Sequence, residues 1–371
     1  MAGSSRWLGN LLRWIVRRSV RLYYPSIEVS DGDRIPQEGP VLLAANHPNS
    51  LLDPVVVGIA ARRPVRFLAK APLFEVPVLG RMMKALGMVP AYRGCDDSTQ
   101  VRRNIESLEA GANILAANEV LGIFPEGKTH DEPGIEQVRS GAARIAMQAA
   151  EAGTPAKIVP LALNYEDKTR FRSSVWVRVG EPIDAQAWLG KHGNDTRHAM
   201  RELTRELDRR LKDLAVHLEE PAWLAIEQDL EQLAPAPKEL RAWPAGKVRQ
   251  RKRVADAMNF FLAANRARAE GIGARIVRHR ERAAAAGLRI DSPILNRQGL
   301  QLFGRMLWKP FWVLFWLPLA LLGTLHHLVP FLVVRAIVPR IQTPGQTTVS
   351  LARLGLGLPV YAAWYAFMIW W

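Results

Sequence analysis

The 371-residue chain carries 50 lysines and arginines against 35 aspartates and glutamates, a formal net charge of +15 at pH 7. That excess asks for an anionic partner, nucleic acid or an anionic membrane surface, and twelve tryptophans gathered towards both ends favour the membrane, since indole rings settle at headgroup level. One cysteine, Cys95, excludes an internal disulfide and a thiolate metal cluster, and the length suffices for one large core with an appendage.

Residues 4–24 place Trp7, Leu8, Leu11, Leu12, Trp14 and Ile15 at helical spacing, interrupted by Arg6, Arg13, Arg17, Arg18 and Arg21. The stretch is too short and too charged to span a bilayer and has no cleavage-site pattern. A basic, Trp-rich amphipathic helix at residues 1–24 fits a membrane interface, whether or not its other face packs on a domain.

From Pro25 to about Glu181 short apolar runs alternate with helical patterns. Strands are predicted at 41–45, 65–69, 87–90, 121–124, 157–163 and 174–179, and helices near 53–61, 76–86, 98–117 and 138–151. The pattern predicts an α/β architecture in which helices flank a sheet. The first run, Val41 to Ala45, stops at Asn46; His47, a turn-prone Pro48-Asn49-Ser50 and Asp53 follow. His47 is thereby placed at the carboxyl end of a strand, where open α/β sheets hold their ligands. Asp53 is within reach of the ring, and a carboxylate on one imidazole nitrogen fixes the tautomer and frees the other nitrogen as a base. Taken alone, the segment reads more simply as a loop histidine and a helix-capping aspartate. Later segments decide otherwise.

Two more strand ends are crowded with polar groups. Lys70 closes the run Phe67-Leu68-Ala69-Lys70, and Arg93 follows Gly87-Met88-Val89-Pro90-Ala91-Tyr92. A guanidinium suits a bidentate grip on phosphate and an ammonium suits charge neutralisation. At Phe124-Pro125-Glu126-Gly127 the chain turns sharply and presents Glu126, with Lys128, Thr129 and His130 next. A further strand is Lys157 to Asn164.

Beyond Pro182 chemistry thins out. Residues 193–217 form a charged helix with one leucine stripe, and residues 247–287 a helical region rich in arginine and alanine. Its basic residues alternate with acidic ones and an apolar stripe, so it reads as a solvated face and not as a nucleic-acid arm. From Phe311 the composition changes: 24 residues follow without Asp, Glu, Lys or Arg, then a basic loop with Arg335, Arg340 and Arg353, then an uncharged run to Trp371. Each run reaches the lower range for a membrane span. The three arginines favour a shallow hairpin that keeps them on the cytoplasmic side, bent at Pro318, Gly323 and Pro330.

Four of these blocks, in order, resemble the glycerolipid acyltransferase family, the membrane enzymes that acylate glycerol phosphate and lysophosphatidate. The family's His-x4-Asp is similar to His47 through Asp53, here with five intervening residues, a longer form resembling a glycerol-3-phosphate acyltransferase-like subgroup. Gly-x-x-Pro-x-x-Arg is matched by Gly87 through Arg93 with the upstream Lys70, Phe-Pro-Glu-Gly by Phe124 through Gly127, and the hydrophobic-Val-Pro-hydrophobic block by Ile158 through Leu161. The resemblance covers about residues 36–182.

It implies a mixed, mainly parallel sheet flanked by helices, the glycerolipid acyltransferase fold, here with a helical C-terminal extension and membrane-embedded segments. The implied domains are the interfacial helix at 1–24, an acyltransferase domain at 25–217, a helical extension at 218–310 and a membrane hairpin at 311–371. The implied reaction moves a fatty acyl group from acyl-CoA or acyl carrier protein to glycerol 3-phosphate or 1-acylglycerol 3-phosphate. His47 would be the general base and Asp53 its orienting partner, with no covalent acyl-enzyme. Lys70 and Arg93 would hold the acceptor phosphate; Glu126, Gly127 and Lys128 would shape the acceptor site, although Glu126 equally suits an ion pair with Arg93. The extra residue before Asp53 must bulge out at Pro48-Asn49-Ser50 for the His–Asp bond to close. No cofactor and no metal are implied, the acyl thioester being a co-substrate, and no tight ligand cluster surrounds His47, Asp53 and His130. The implied setting is the phospholipid surface of the inner, cytoplasmic membrane with the catalytic domain facing the cytoplasm. The competing reading is a non-catalytic lipid-binding or membrane-remodelling protein on the same scaffold, and a nucleic-acid partner finds no reading module.

Overall fold

The computed structural model describes residues 2–92, 101–131, 134–193, 195–234, 237, 240, 242–291, 299–341 and 348–371. Strands β1 (Ser26–Ser30), β2 (Val41–Ala45), β3 (Val65–Lys70), β4 (Val89–Ala91), β5 (Val120–Ile123), β6 (Lys157–Tyr165) and β7 (Ser174–Val179) form one sheet in the order β1-β7-β6-β2-β5-β3-β4. The short β8 (Ile183–Asp184) pairs with β6. From β6 across β2, β5 and β3 to β4 every pairing is parallel; β7 and β8 run antiparallel to β6.

The central strands are apolar throughout because both sheet faces are covered. All five residues of β2 are buried. Leu42 and Ala44 point into a core shared with helices α4 (Val101–Ala116), α5 (Gly141–Glu151) and α7 (Thr196–Leu214). Val41, Leu43 and Ala45 point the other way, into a core with α1 (Ala2–Tyr23) and α2 (Asp53–Ala61). The period of two sorts one strand between two cores. Helices α3 (Pro77–Ala85) and α6 (Ala185–Lys191) complete this unit. In α7 the expected leucine stripe is Leu203, Leu207, Leu211 and Leu214, buried together with Ala199, and Asp195 caps the helix by accepting from Arg197 N and His198 N.

Predicted and observed elements agree except at the edges. β1 was not expected: its half-buried Ser-Ile-Glu-Val-Ser lacks an apolar run, and pairing with β7 makes it a strand. The strand expected at 87–90 begins at Val89, because Gly87 stands at φ +76° in the preceding turn. Phe67 and Gly122 are cross-strand partners, and a Cβ on Gly122 would lie 2.2 Å from the Phe67 ring. Gly122→Ala is therefore expected to cost about 1–3 kcal/mol, read as a fall in Tm and in denaturant midpoint; an unchanged midpoint would show that the ring has room to move.

Beyond α7, helices α8 (Leu224–Leu233), α9 (Gly246–Ala264) and α10 (Arg266–Ala285) form the extension. It is joined to the sheet by packing of Ala245 and Val248 on Trp176, and by ion pairs of Lys247 with Glu166 and Arg249 with Glu28. The arginine-rich region is two helices, separated at Asn265, whose side chain accepts from Arg268 N.

The chain ends in two helices, α11 (Gly299–Ile341) and α12 (Val349–Trp370). Their segments Pro310–Arg340 and Val349–Trp370 are long and apolar enough to cross a membrane and are almost wholly unburied. Trp364 Nε1 donates to His326 O, and the His327 ring lies beside Tyr361 and Tyr365, so the helices run antiparallel. α11 is helical through Pro318, Gly323 and Pro330, the positions where bends were expected, each proline removing a single N–H donor from the ladder. The N-terminal helix does two jobs. Its Val20, with Tyr23, is buried in the core and Arg17 donates to Gly58 O, while Trp7, Leu11, Trp14, Ile15 and Leu22 remain exposed.

Candidate active site

Parallel β2, β5, β3 and β4 bring the polar strand ends to one edge of the sheet. His47 leaves β2, Phe124 to Gly127 leave β5, and Lys70 ends β3 in register with Ala91 of β4. Lys70 is exposed there. Arg93, two residues beyond β4, lies outside the described residues, so its expected pairing with phosphate or Glu126 has no geometry here.

The backbone at His47 is fixed from both sides. Asn46 continues the β2–β6 ladder with its side chain: Nδ2 donates to Leu163 O at 3.2 Å and Oδ1 accepts from Leu163 N at 2.7 Å. One residue on, His47 N donates to Glu126 Oε1 at 2.8 Å. The imidazole stacks on Phe124, with ring centres 4.0 Å apart and planes 9° off parallel, and Phe124 in turn stacks on Phe67. His47 Nδ1 lies 2.9 Å from Asp53 Oδ2. With Nδ1 protonated and donating, Nε2 keeps the basic lone pair on a side chain that is 18% exposed.

Asp53 opens α2 ahead of Pro54 and is wholly buried, a place where a carboxylate gains from the helix N-terminus. Its oxygens are all engaged: Oδ2 accepts from His47 Nδ1 and from Asn49 N at 2.7 Å, and Oδ1 accepts from the Tyr165 hydroxyl at 2.7 Å. The extra residue is absorbed where expected. Asn49 sits at φ −137°, ψ 44°, Ser50 turns left-handed at φ +46°, and a 3-10 turn over Ser50–Leu52 delivers Asp53.

Glu126 is also buried and satisfied. Oε1 holds His47 N; Oε2 accepts from Glu136 N at 2.9 Å and pairs with His130 Nε2 at 2.5 Å. Burial opposes the charge on His130, yet the bond and charge of Glu126, with Glu136 beyond, raise its pKa above the ordinary value. Gly127, at φ +74°, makes the turn that lets residue 130 fold back onto residue 126. Lys128 is exposed and pairs with Glu136 at 2.9 Å.

Sequence reasoning missed the second ring of contacts. Lys168 Nζ ties the His47 loop to the Glu126 turn through Pro48 O at 3.1 Å, His130 O at 3.4 Å and Asp131 Oδ1 at 2.5 Å. The Tyr24 hydroxyl accepts from Asn49 Nδ2 at 2.8 Å and lies 3.0 Å from Ser350 Oγ, at the root of α12. Burial pushes the Tyr24 phenol up; burial first, and then the Asp53 charge, push Tyr165 well up, so both remain neutral donors. Tyr165 did carry one signal, its position at the carboxyl end of the strand beside β2.

The carboxyl edge of this doubly covered, mainly parallel sheet thus holds a His–Asp pair with a free ring nitrogen, and comparison with known proteins identifies the domain. The family model described as Acyltransferase matches residues 26–164. The chain is similar to glycerol-3-phosphate O-acyltransferase 1 of Saccharomyces cerevisiae, 22% identical over 62% of this chain and 42% of that protein. It is 30% identical to lyso-ornithine lipid O-acyltransferase of Pseudomonas aeruginosa over 41% of this chain and 52% of that one. To a 1-acyl-sn-glycerol-3-phosphate acyltransferase of Neisseria gonorrhoeae it is 33% identical over 36% and 48%. The crystal structure of the 1-acyl-sn-glycerophosphate acyltransferase PlsC from Thermotoga maritima matches at a TM-score of 0.39 and 17% identity, over 55% of this chain and 80% of that chain. Residues 26–164 thus form an acyltransferase domain, similar in sequence to these glycerolipid acyltransferases. The chain spans about half or less of the length of these three sequence relatives.

Proposed function

We propose that the protein is an O-acyltransferase that moves a fatty acyl group from acyl-CoA or acyl carrier protein to glycerol 3-phosphate or 1-acylglycerol 3-phosphate. The observation that carries this reading is the pair of His47 and buried Asp53, 2.9 Å apart, with Nε2 left as the basic nitrogen. Nε2 takes the proton of the acceptor hydroxyl as its oxygen attacks the thioester carbonyl. The tetrahedral intermediate collapses, the thiolate leaves, and the imidazolium returns the proton to it. Asp53 steadies the imidazolium without taking the proton. Lys70 and Arg93 are assigned to the acceptor phosphate. Glu126 and Gly127 shape the acceptor site indirectly, Glu126 by anchoring the His47 backbone. Lys128, exposed and paired with Glu136, is assigned to its rim.

The membrane supplies the acceptor or receives the product. Exposed Trp7, Trp14 and Leu22 of α1 and the apolar surfaces of α11 and α12 are assigned to the phospholipid surface of the inner membrane, with the catalytic domain in the cytoplasm. The test is a radiolabelled acyl-transfer assay in membranes that crosses the two acceptors with the two donors and includes a lyso-ornithine lipid as a third acceptor. Transfer to a phosphorylated glycerol is expected. Transfer to the ornithine lipid alone would overturn the acceptor assignment, and no transfer from either donor would leave a lipid-binding scaffold.

A further inference from the structure

We infer that Tyr165 is a positioning residue for this site, its phenol holding the Asp53 carboxylate in the orientation that serves His47. The inference rests on the acyltransferase reading above. Asp53 Oδ2 already has two donors, the His47 ring at 2.9 Å and Asn49 N at 2.7 Å, both on the loop that carries the histidine. Oδ1 has Tyr165, at 2.7 Å, from a different element, the end of β6. The loop alone pins one oxygen and leaves the carboxylate able to swing about it; the phenol, rooted in the central sheet, stops that rotation. A buried hydroxyl needs a partner, and Asp53 Oδ1 is the one given to Tyr165.

The same bond has an electrostatic consequence. A neutral donor on Oδ1 draws charge away from Oδ2 and weakens its support of an imidazolium. Without the phenol the full carboxylate charge acts on His47, the protonated ring is favoured, and the base is lost at a higher pH. The other ionisable groups facing the pair are Glu126, on the His47 backbone; Lys168, on Pro48 O; His130 and Asp131, beyond these two; Tyr24, on the Asn49 side chain; and Arg353, on Thr169 O. None of these places a donor on Asp53 Oδ1. Tyr24 acts one bond further out, through Asn49, with its ring edge-on to Tyr165 at 5.3 Å.

The test compares wild type, Tyr165→Phe and Tyr24→Phe by kcat and KM across pH, and by NMR titration of the His47 ring in the full-length, detergent-solubilised protein. For Tyr165→Phe, kcat is expected to fall about tenfold with acceptor KM nearly unchanged. The acid limb of kcat/KM and the His47 titration midpoint are expected to rise together by about 0.5–1 pH unit. Tyr24→Phe should leave both where they are. An unmoved limb in Tyr165→Phe, or an equal shift in both variants, would overturn the assignment. If Tyr165→Phe does not fold, 3-fluorotyrosine at position 165 supplies a stronger donor, and both values must then move down; no movement overturns the inference. A wild type inactive on every donor and acceptor would refute the functional reading, whereas the His47 midpoint tests the positioning without any turnover.

Discussion

His47→Ala is expected to lose acyl transfer by about 10²- to 10⁴-fold, the usual range for removing a general base. Acceptor binding should survive, because the phosphate is assigned to Lys70, which ends β3, and to Arg93, and not to the imidazole. The fold should survive as well. His47 N still reaches Glu126, Asn46 still locks onto Leu163, and Phe124 still stacks on Phe67. Asp53→Asn should lower the rate by a different route. The neutral amide keeps the volume, but it must offer its oxygen to both Asn49 N and His47 Nδ1 while its NH2 faces the Tyr165 hydroxyl, which then has no carboxylate to donate to. The imidazolium also loses its counter-charge. Initial rates with labelled acyl donor, set beside equilibrium dialysis of labelled glycerol 3-phosphate, separate chemistry from binding. A His47→Ala protein within about threefold of wild type would remove His47 from the mechanism.

The part of this site that could be read from the sequence is the part built by local pattern. Val41 to Ala45 is apolar at every position because β2 lies mid-sheet, and polar residues directly after such a run fall at its carboxyl edge. The turn at Asn49 and Ser50 was expected only through the resemblance, whose His-x4-Asp is one residue shorter than the spacing here. The partners of Asp53 and Asn49 did not follow. Tyr165 is 112 residues from Asp53, and Ser350 is 326 residues from Tyr24; no periodicity links them until the sheet and the C-terminal helix have packed. Glu126 shows the same limit. The Gly127 turn folds His130 and Glu136 N back onto its carboxylate, contacts that no local pattern announces.

The basic loop of the C-terminal hairpin should lie on the same side of the membrane as the catalytic domain, with the hairpin shallow in one leaflet. At the loop end, Val338 and Val349 are buried, Leu351 and Leu354 pack on the core that includes β2, and Ser350 and Arg353 bond to Lys168 O and Thr169 O. That end is anchored beside the active site. The preceding segment is anchored too. The extension is joined to the sheet through α9, α10 carries six arginines that bar it from hydrocarbon, and Ile290 O is held by His279 of α10. From Asp291 to Gly299 the chain reaches about 29 Å at most. If residues 310–340 crossed the roughly 30 Å hydrocarbon layer with the loop end near the domain, Pro310 would emerge on the far side. Gly299, another 11 residues back along the same helix, would lie about 16 Å beyond. The linker is too short for that. In a Cys95→Ala background, Gln301→Cys and Gln346→Cys should both react with an impermeant thiol reagent only from the catalytic-domain side of sealed, oriented vesicles. Reaction of Gln346→Cys only from the opposite side would establish two full spans. Reaction of Gln301→Cys alone from that side would establish that α11 crosses towards the domain.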